Sequence, residues 1–176
     1  MHILKPIPIF CTLFLFIVGS FSQEKQVSIN EAQINFTFIS KNVQGTIGDL
    51  KSTSMIDLQN FQNSVFKGSV SLESLKTGNF LRDWHLMSKK YFYRQKHPRI
   101  YFKSAEIVKK GALYEVKGVL NIKGISKYIS MKASVLENQI KLSGLINTAD
   151  WNINVLKERA DNKVEFSIDL VLKDAN

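Results

Sequence analysis

The sequence predicts an all-β fold, an eight-stranded antiparallel barrel in which one short helix closes an end. Apolar and polar residues alternate with a period of two along most of the chain, which is typical of strands with one buried and one wet face. Short turn signals, such as KKG at 109–111 and GIS at 124–126, separate these runs, so neighbouring strands are expected to form hairpins. About eight such strands can form a sandwich or a barrel. We favour the barrel, because closure removes the exposed edges of the sheet.

The first 22 residues have the layout of a secretory signal peptide. Lys5 precedes an apolar run from Ile7 to Phe21, and small residues stand at positions 20 and 22. The run is short for a bilayer-spanning helix, which needs roughly 20 apolar residues. A retained anchor is the alternative. Cleavage after Ser22 would leave one domain, residues 23–176, in the periplasm or outside the cell.

The strands after residue 23 each have one apolar face. The clearest is NKVEFSIDLVLK at 162–173, and IYFKSAEIV at 100–108 follows Pro98 as a further strand. Glycines at 68, 118 and 144 share the apolar faces, where they suit strong bending or a space kept free of side chains. The residues predicted to line an apolar tunnel are Phe36, Phe38, Phe66, Val70, Leu72, Trp84, Phe102, Val116, Leu120, Ile129, Met131, Leu142, Ile146, Phe166 and Ile168.

One segment, TGNFLRDWHLMSKKYF at 77–92, departs from the strand period. Phe80, Trp84, Met87 and Tyr91 are spaced i, i+4, i+7 and i+11, which predicts one helical stripe. The helix is expected to run from Asn79, as its N-cap, to Phe92. We predict that it closes one end of the barrel with this stripe facing inward.

Two polar residues of the predicted helix are candidates for binding a ligand head group. Arg82 and His85 are three residues apart and can share one side of a helix. The guanidinium of Arg82 offers a rigid fork of donors that suits a phosphate or carboxylate. The alternative is an ion pair that includes Asp83 and locks the helix to a loop.

The composition argues against catalysis. The only cysteine, Cys11, lies in the predicted signal peptide, so no disulfide or thiolate would remain in residues 23–176. The remaining histidines, His85 and His97, have no recognised metal-ligand spacing, and no nucleophile elbow or phosphate-binding loop is present. The sequence therefore predicts no catalytic residue, no metal site and no cofactor.

Two blocks of the sequence resemble the YceI-like family of exported, lipocalin-like polyisoprenoid-binding proteins. The first, residues 77–104, matches the family pattern at Arg82, Asp83, His85, Leu86, Phe92, Pro98, Phe102, Lys103 and Ser104. The second, residues 116–131, matches it at Gly118, Leu120, Ile122, Gly124 and Lys127. LINTADWNI at 145–153 lacks an arginine that the family often has, and Ala32-Gln33 stands where a His-Ser pair is common.

The resemblance implies a lipocalin-like barrel with an elongated apolar tunnel. Its ligand would be a polyisoprenoid, an isoprenoid quinone or a fatty-acid derivative. We therefore expect an exported carrier or binding protein for a long-chain amphiphile. The alternative is a non-catalytic structural or interaction barrel with no bound ligand.

The formal net charge of +9 permits anionic partners. A surface kept soluble by its charge would explain that value equally well. The predicted partners are an amphiphilic lipid such as a polyisoprenoid, a membrane surface in transient contact, and a second copy in a homodimer. Export and the scatter of the basic residues argue against nucleic acid.

Overall fold

The computed structural model describes residues 27–173, and the predicted signal peptide lies outside the described residues. The strands are β1 (Ile29–Phe38), β2 (Val43–Ser52), β3 (Lys67–Lys76), β4 (Arg99–Lys110), β5 (Leu113–Ile122), β6 (Ile125–Leu136), β7 (Gln139–Asn147) and β8 (Lys163–Leu172). The single α-helix within 27–173 is α1 (Phe80–Leu86), and four short 3-10 turns occupy Ile39–Lys41, Phe61–Asn63, Thr148–Trp151 and Arg159–Asp161. No helix in this part of the chain is long and apolar enough to cross a membrane.

The eight strands form a closed barrel in chain order, and every neighbouring pair is antiparallel. The barrel closes where β1 pairs with β8, from Ile29 opposite Leu172 to Phe38 opposite Val164. This confirms the fold class expected from the alternating pattern. Because side chains alternate across each strand, the apolar faces point into the barrel and the charged faces point to solvent.

The strand pairing is least regular between β2 and β3, which we call the seam. The register shifts on both sides of the pair Gly48–Ser71, and Asp49 has a φ of 51°. Arg99 bridges this gap. Its guanidinium donates to the Asp49 carboxylate at 2.6 Å, and it also donates to the backbone oxygens of Asp49 and Ser69. A side chain thus supplies cross-strand bonds where the backbone ladder is interrupted.

The two ends of the barrel differ in their packing. At one end, which we call the base, the segment 53–66 closes the barrel over a buried apolar cluster. The Phe61 ring lies edge-on to Phe66 with centroids 5.8 Å apart, and its centroid is 4.7 Å from that of Tyr114. Val116, Ile140 and the other residues of this cluster fill the interior, so the base is solid.

Two segments cover the opposite end, which we call the α1 pole: residues 77–98, which include α1, and residues 148–162. Asn162 is fully buried and organises the second segment. Its side-chain oxygen accepts from the backbone of Val155 and Leu156 at 2.8 and 2.9 Å, and its amide nitrogen donates to the carbonyls of Leu156 and Glu158. All these bonds are satisfied locally, so a buried amide is tolerated here.

The helix differs from its prediction in length and in orientation. Asn79 caps it as expected, since its side-chain oxygen accepts from the backbone of Arg82 at 3.0 Å. However, α1 ends at Leu86, and the chain then turns back so that the Phe92 amide donates to the Leu86 carbonyl. The predicted helix to Phe92 is therefore wrong.

The predicted inward stripe is also wrong. Phe80 and Trp84 are 80% and 70% exposed, whereas Arg82 and Leu86, one turn apart, face the interior. Phe80 and Arg82 are two positions apart, which corresponds to about 200° around a helix. Tyr91 is buried and Met87 is half-buried, but both lie beyond the helix.

Candidate ligand-binding cavity

The barrel encloses a cavity of about 620 Å³ that extends from the base cluster to the segments covering the α1 pole. Its lining is almost wholly apolar. On β8 alone, Val164, Phe166, Ile168 and Leu170 face it in succession. At about 3.3 Å per residue, this row extends about 20 Å along the strand. The cavity is therefore elongated, and its volume falls in the range of roughly 300–1,000 Å³ that small-molecule sites occupy.

Most of the residues expected to line a tunnel do line the cavity. They are Phe36, Phe38, Phe66, Val70, Phe102, Leu120, Ile129, Met131, Leu142, Ile146, Phe166 and Ile168. Every strand of the barrel contributes to the lining. The alternation of side chains brings these residues together although they are distant in sequence.

Three of the predicted tunnel residues lie elsewhere. Leu72 is buried in a cluster with Ile47 and Leu75 and does not line the cavity. Val116 is fully buried in the base cluster, below the floor of the cavity. Trp84 is on the outer face of α1, because the helix turns its other face inward.

Phenylalanine rings fill the space that inward-facing glycines leave. A Cβ atom added to Gly144 would lie 2.6 Å from the Phe166 ring, and one added to Gly118 would lie 2.5 Å from the Phe102 ring. Such distances are far below van der Waals contact, so the rings occupy the positions of the missing side chains. Strong bending and a space free of side chains are the two alternatives for these glycines, and the second is wrong at Gly118 and Gly144, because aromatic rings fill that space.

Apart from Ser69 on β3 and Tyr101 on β4, the polar residues of the lining lie at the α1 pole. Lys41, Thr77, Arg82 and Thr148 all belong to the turns and segments there. Arg82 donates through Nε to the Thr77 hydroxyl at 2.7 Å and through Nη2 to the Thr77 carbonyl at 2.6 Å. Its Nη1 makes no hydrogen bond to any residue of 27–173. Thr77 thus anchors one edge of the guanidinium, and Nη1 remains available to donate to a ligand.

The other two polar residues of the predicted set have different positions. Asp83 accepts from the backbone and the hydroxyl of Thr77, so it helps to hold Thr77 next to Arg82. His85 is exposed, does not line the cavity, and places its ring edge-on to Tyr91 with centroids 5.1 Å apart. The expectation that Arg82 and His85 share one side of the helix is therefore corrected. Arg82 lines the cavity, whereas His85 faces the solvent.

Some of the lining was not predicted. Val43, Ile47 and Leu50 come from β2, whose alternating pattern is interrupted by Gly45 and Gly48. Trp151, Ile153 and Val155 come from the irregular segment 148–162, which gives no periodic signal. Lys41 lies in a short turn that the strand pattern does not reach. The one signal that could have placed Lys41 near the cavity is its position shortly after Phe38, the end of β1.

Lys123 links the two segments that cover the α1 pole. Its ammonium donates to the backbone carbonyl of Lys90 at 3.1 Å and to that of Asn152 at 3.4 Å. Burial lowers the pKa of Lys123. Nearby, the Trp151 indole donates to the Leu120 carbonyl at 3.3 Å. The cover over the cavity is therefore tied to the barrel by specific bonds.

The lining offers apolar surface and a few donors. Within residues 27–173, no group of three histidine, cysteine or carboxylate side chains is placed to hold a metal ion. An elongated apolar cavity with donors at one end suits a molecule with a long apolar tail and a polar head.

The sequence matches known proteins over most of its length. The profile of the YceI-like domain matches residues 24–172. A UPF0312 protein from Photorhabdus laumondii is 34% identical over 92 residues, which are 52% of this chain and 48% of that protein. The chain thus aligns with about half the length of this relative. A UPF0312 protein from Pectobacterium atrosepticum is 26% identical over 134 residues, 70% of each chain.

Solved structures share the same barrel. BcnA from Burkholderia cenocepacia superposes with a TM-score of 0.72 at 16% identity, covering 82% of this chain and 99% of BcnA. The YceI protein of Campylobacter jejuni gives 0.65 at 22% identity, with 75% and 84% covered. A polyisoprenoid-binding domain from Saccharophagus degradans gives 0.58 at 14% identity, with 84% and 97% covered. At these identities, the likeness shows the fold.

Proposed function

Because the chain belongs to the YceI-like family, we propose that it is a non-catalytic binding protein that holds one long-chain amphiphile in its barrel. The observation that carries this proposal is the elongated apolar cavity whose polar residues are concentrated at one pole. A solid core would leave no such space, and an enzyme site would need reactive groups inside it.

The ligand class follows from the physical character of the lining. Burying a methylene contributes roughly 0.8 kcal/mol, so a tail of about ten carbons contributes roughly 8 kcal/mol before ordering costs are subtracted. A polyisoprenoid, an isoprenoid quinone or a fatty-acid derivative has such a tail. The structural likeness to a polyisoprenoid-binding domain supports the isoprenoid among these. The proposal includes export, with residues 1–22 as the signal peptide, and a role as a carrier.

The head group would lie at the α1 pole. Arg82 and Lys41 both line the cavity there, and Thr77 holds the Arg82 guanidinium in place. These two cations suit a phosphate, a carboxylate or a carbonyl oxygen.

Leu120→Trp tests the proposal. Leu120 lines the cavity, and an indole there would occupy the space of the ligand tail. We expect this variant to remain a folded β protein, since overpacking destabilises a core by only about 1–3 kcal/mol. Because the indole takes the space of the tail, the affinity for a long-chain prenyl alcohol should fall by more than about tenfold. Native mass spectrometry and circular dichroism would measure binding and folding.

Val119→Trp is the matched control. It introduces the same side chain at the neighbouring position of β5, whose side chain points to the outside of the wall. Wild-type affinity in both variants would refute the cavity as the binding site. If the wild-type protein binds no prenyl, quinone or fatty-acid amphiphile, the chain is instead a structural or interaction barrel.

A further inference from the structure

The outer face of α1 is the most exposed apolar feature of the α1 pole. Phe80, Leu81 and Trp84 are adjacent on this short helix, and their side chains are 80%, 73% and 70% exposed. Other exposed apolar residues of the barrel, such as Tyr128 and Leu136, stand apart from one another on the outer wall of β6. A cluster of three large apolar side chains that the fold leaves in water indicates a binding surface.

Basic side chains surround this cluster. Lys76 and Lys89 border the same surface groove as Phe80 and Trp84, and Lys90 and Lys96 are exposed on the same segment. The connection between β3 and β4, residues 77–98, has five basic residues and one acidic residue. That acidic residue, Asp83, accepts hydrogen bonds from Thr77. Glu73, which also borders the groove, pairs with Arg94. The positive charge around the apolar cluster is therefore largely uncompensated.

The same helix belongs to the cavity. Arg82 and Leu86 line the cavity from the inner face of α1, while Phe80, Leu81 and Trp84 occupy its outer face. Whatever binds the outer face is thus separated from the cavity by one helix diameter, about 10 Å.

We propose that this face of α1 docks on the surface of an anionic lipid bilayer. Phe80, Leu81 and Trp84 insert among the acyl chains just below the head groups, and the surrounding lysines contact anionic phosphates. Tryptophan is favoured at this depth, because its ring is apolar and its N–H can remain hydrated. The charge complementarity distinguishes a bilayer with anionic lipid from a neutral surface.

A second copy of the chain fits the face less well. A large aromatic side chain buries about 150–250 Å², so the three residues together offer roughly 500 Å². A stable interface needs about 800 Å² from each partner. The exposed lysines of this segment would also be repelled by the same lysines on a symmetric partner.

Vesicle binding tests the proposal directly and does not depend on what the cavity holds. We expect the protein to sediment with equimolar phosphatidylglycerol–phosphatidylcholine vesicles and to bind phosphatidylcholine vesicles at least about tenfold more weakly. Binding should weaken in about 1 M salt, where the Debye length falls to about 3 Å. Tryptophan emission should shift to shorter wavelength on binding. The shift should vanish in Trp84→Phe, since Trp151 is buried already.

Leu81→Ala and Leu136→Ala form a matched pair, because their side chains are 73% and 72% exposed at opposite ends of the barrel. We expect Leu81→Ala to weaken vesicle binding by on the order of threefold or more, since binding follows buried apolar area. Leu136→Ala should bind like the wild-type protein. Equal effects in the pair, or no preference for anionic vesicles, would overturn the proposal.

Analytical ultracentrifugation without lipid tests whether a second copy of the chain binds this face instead. A wild-type dimer that Leu81→Ala converts to a monomer would assign this face to a second copy and refute the membrane surface. A wild-type monomer that binds anionic vesicles supports the proposal, whether or not a prenyl ligand binds in the cavity.

Discussion

The guanidinium of Arg82 is bonded to Thr77 on one edge and available on the other. The effect of removing this side chain depends on which edge matters more. Thr77 accepts two hydrogen bonds from the guanidinium, while the side chain still lines the cavity. The bonds to Thr77 permit two roles for Arg82, a structural strut or, as we propose, a contact to the head group of the ligand. A strut contributes to stability alone, whereas a head-group ligand discriminates between charged and neutral ligands.

We expect Arg82→Ala to lose about tenfold more affinity for a prenyl phosphate than for the corresponding prenyl alcohol, because charge-assisted hydrogen bonds contribute roughly 1.5–3 kcal/mol. Arg82→Lys should restore only part of the difference, since an ammonium lacks the planar fork. Calorimetric affinities for the two ligands, with the melting temperature of each variant, provide the comparison. A lower melting temperature with an unchanged affinity ratio would leave Arg82 as a strut only.

At the level of secondary-structure elements, the seam between β2 and β3 is the irregular part of the wall. The Arg99 hydrogen bond to the Asp49 carboxylate lowers the pKa of Asp49 below its ordinary value of 3.8. The ionised carboxylate is thus favoured in the folded state. The resulting stability is complete well above pH 3.8 and is lost as the pH falls through the folded-state pKa.

We therefore expect Asp49→Asn to be less stable than the wild-type protein at neutral pH, with a difference that shrinks below about pH 5. Asparagine also tolerates the positive φ at this position, so the backbone should be unaffected. Urea unfolding at several pH values measures the difference. Asp169→Asn, in an exposed pair with Lys141, is the control and should change stability little. A difference for Asp49→Asn that does not vary with pH would contradict this account.

The elements that could be predicted from the sequence are those whose pattern is regular. The long alternations of β5 to β8 correctly predict which residues face the interior, because a period of two permits one orientation once one face is apolar. In β2, glycines replace apolar residues, and the pattern is lost. The orientation of α1 could not be predicted from its stripe, because Thr77 binds Arg82 and Asp83 and thereby holds the other face against the barrel. Tertiary contacts outweigh amphipathicity in so short a helix.

For the whole molecule, the sequence predicts a barrel but does not predict where it is hollow. Val116 and Leu120 belong to the same inward face of β5, yet Val116 lies in the solid base and Leu120 lines the cavity. The difference depends on Phe61 and Ile56, which reach the base from an irregular segment. Side chains from such segments have no periodic signal, so the extent of the cavity could be determined only from the structure.

Export concerns the whole chain and gives a prediction that is independent of the cavity. If residues 1–22 are a signal peptide, the protein recovered from outside the cytoplasm should begin at Gln23. Intact-mass measurement of the protein purified from its own host would establish the mature terminus. Recovery of the exported protein with Met1 and the apolar run still attached would show that this segment is retained.

The described chain begins and ends at the same place. Val27 pairs with Ile56 at the base, and the Lys173 amide donates to the Ser28 carbonyl at 2.9 Å, so both ends lie opposite the α1 pole. An affinity tag, a fluorophore or a biosensor linker attached at either end would therefore stand at the far side from the α1 pole. Immobilised in this way, the protein would present the α1 pole, with Lys41 and Arg82 of the cavity lining, to the solution.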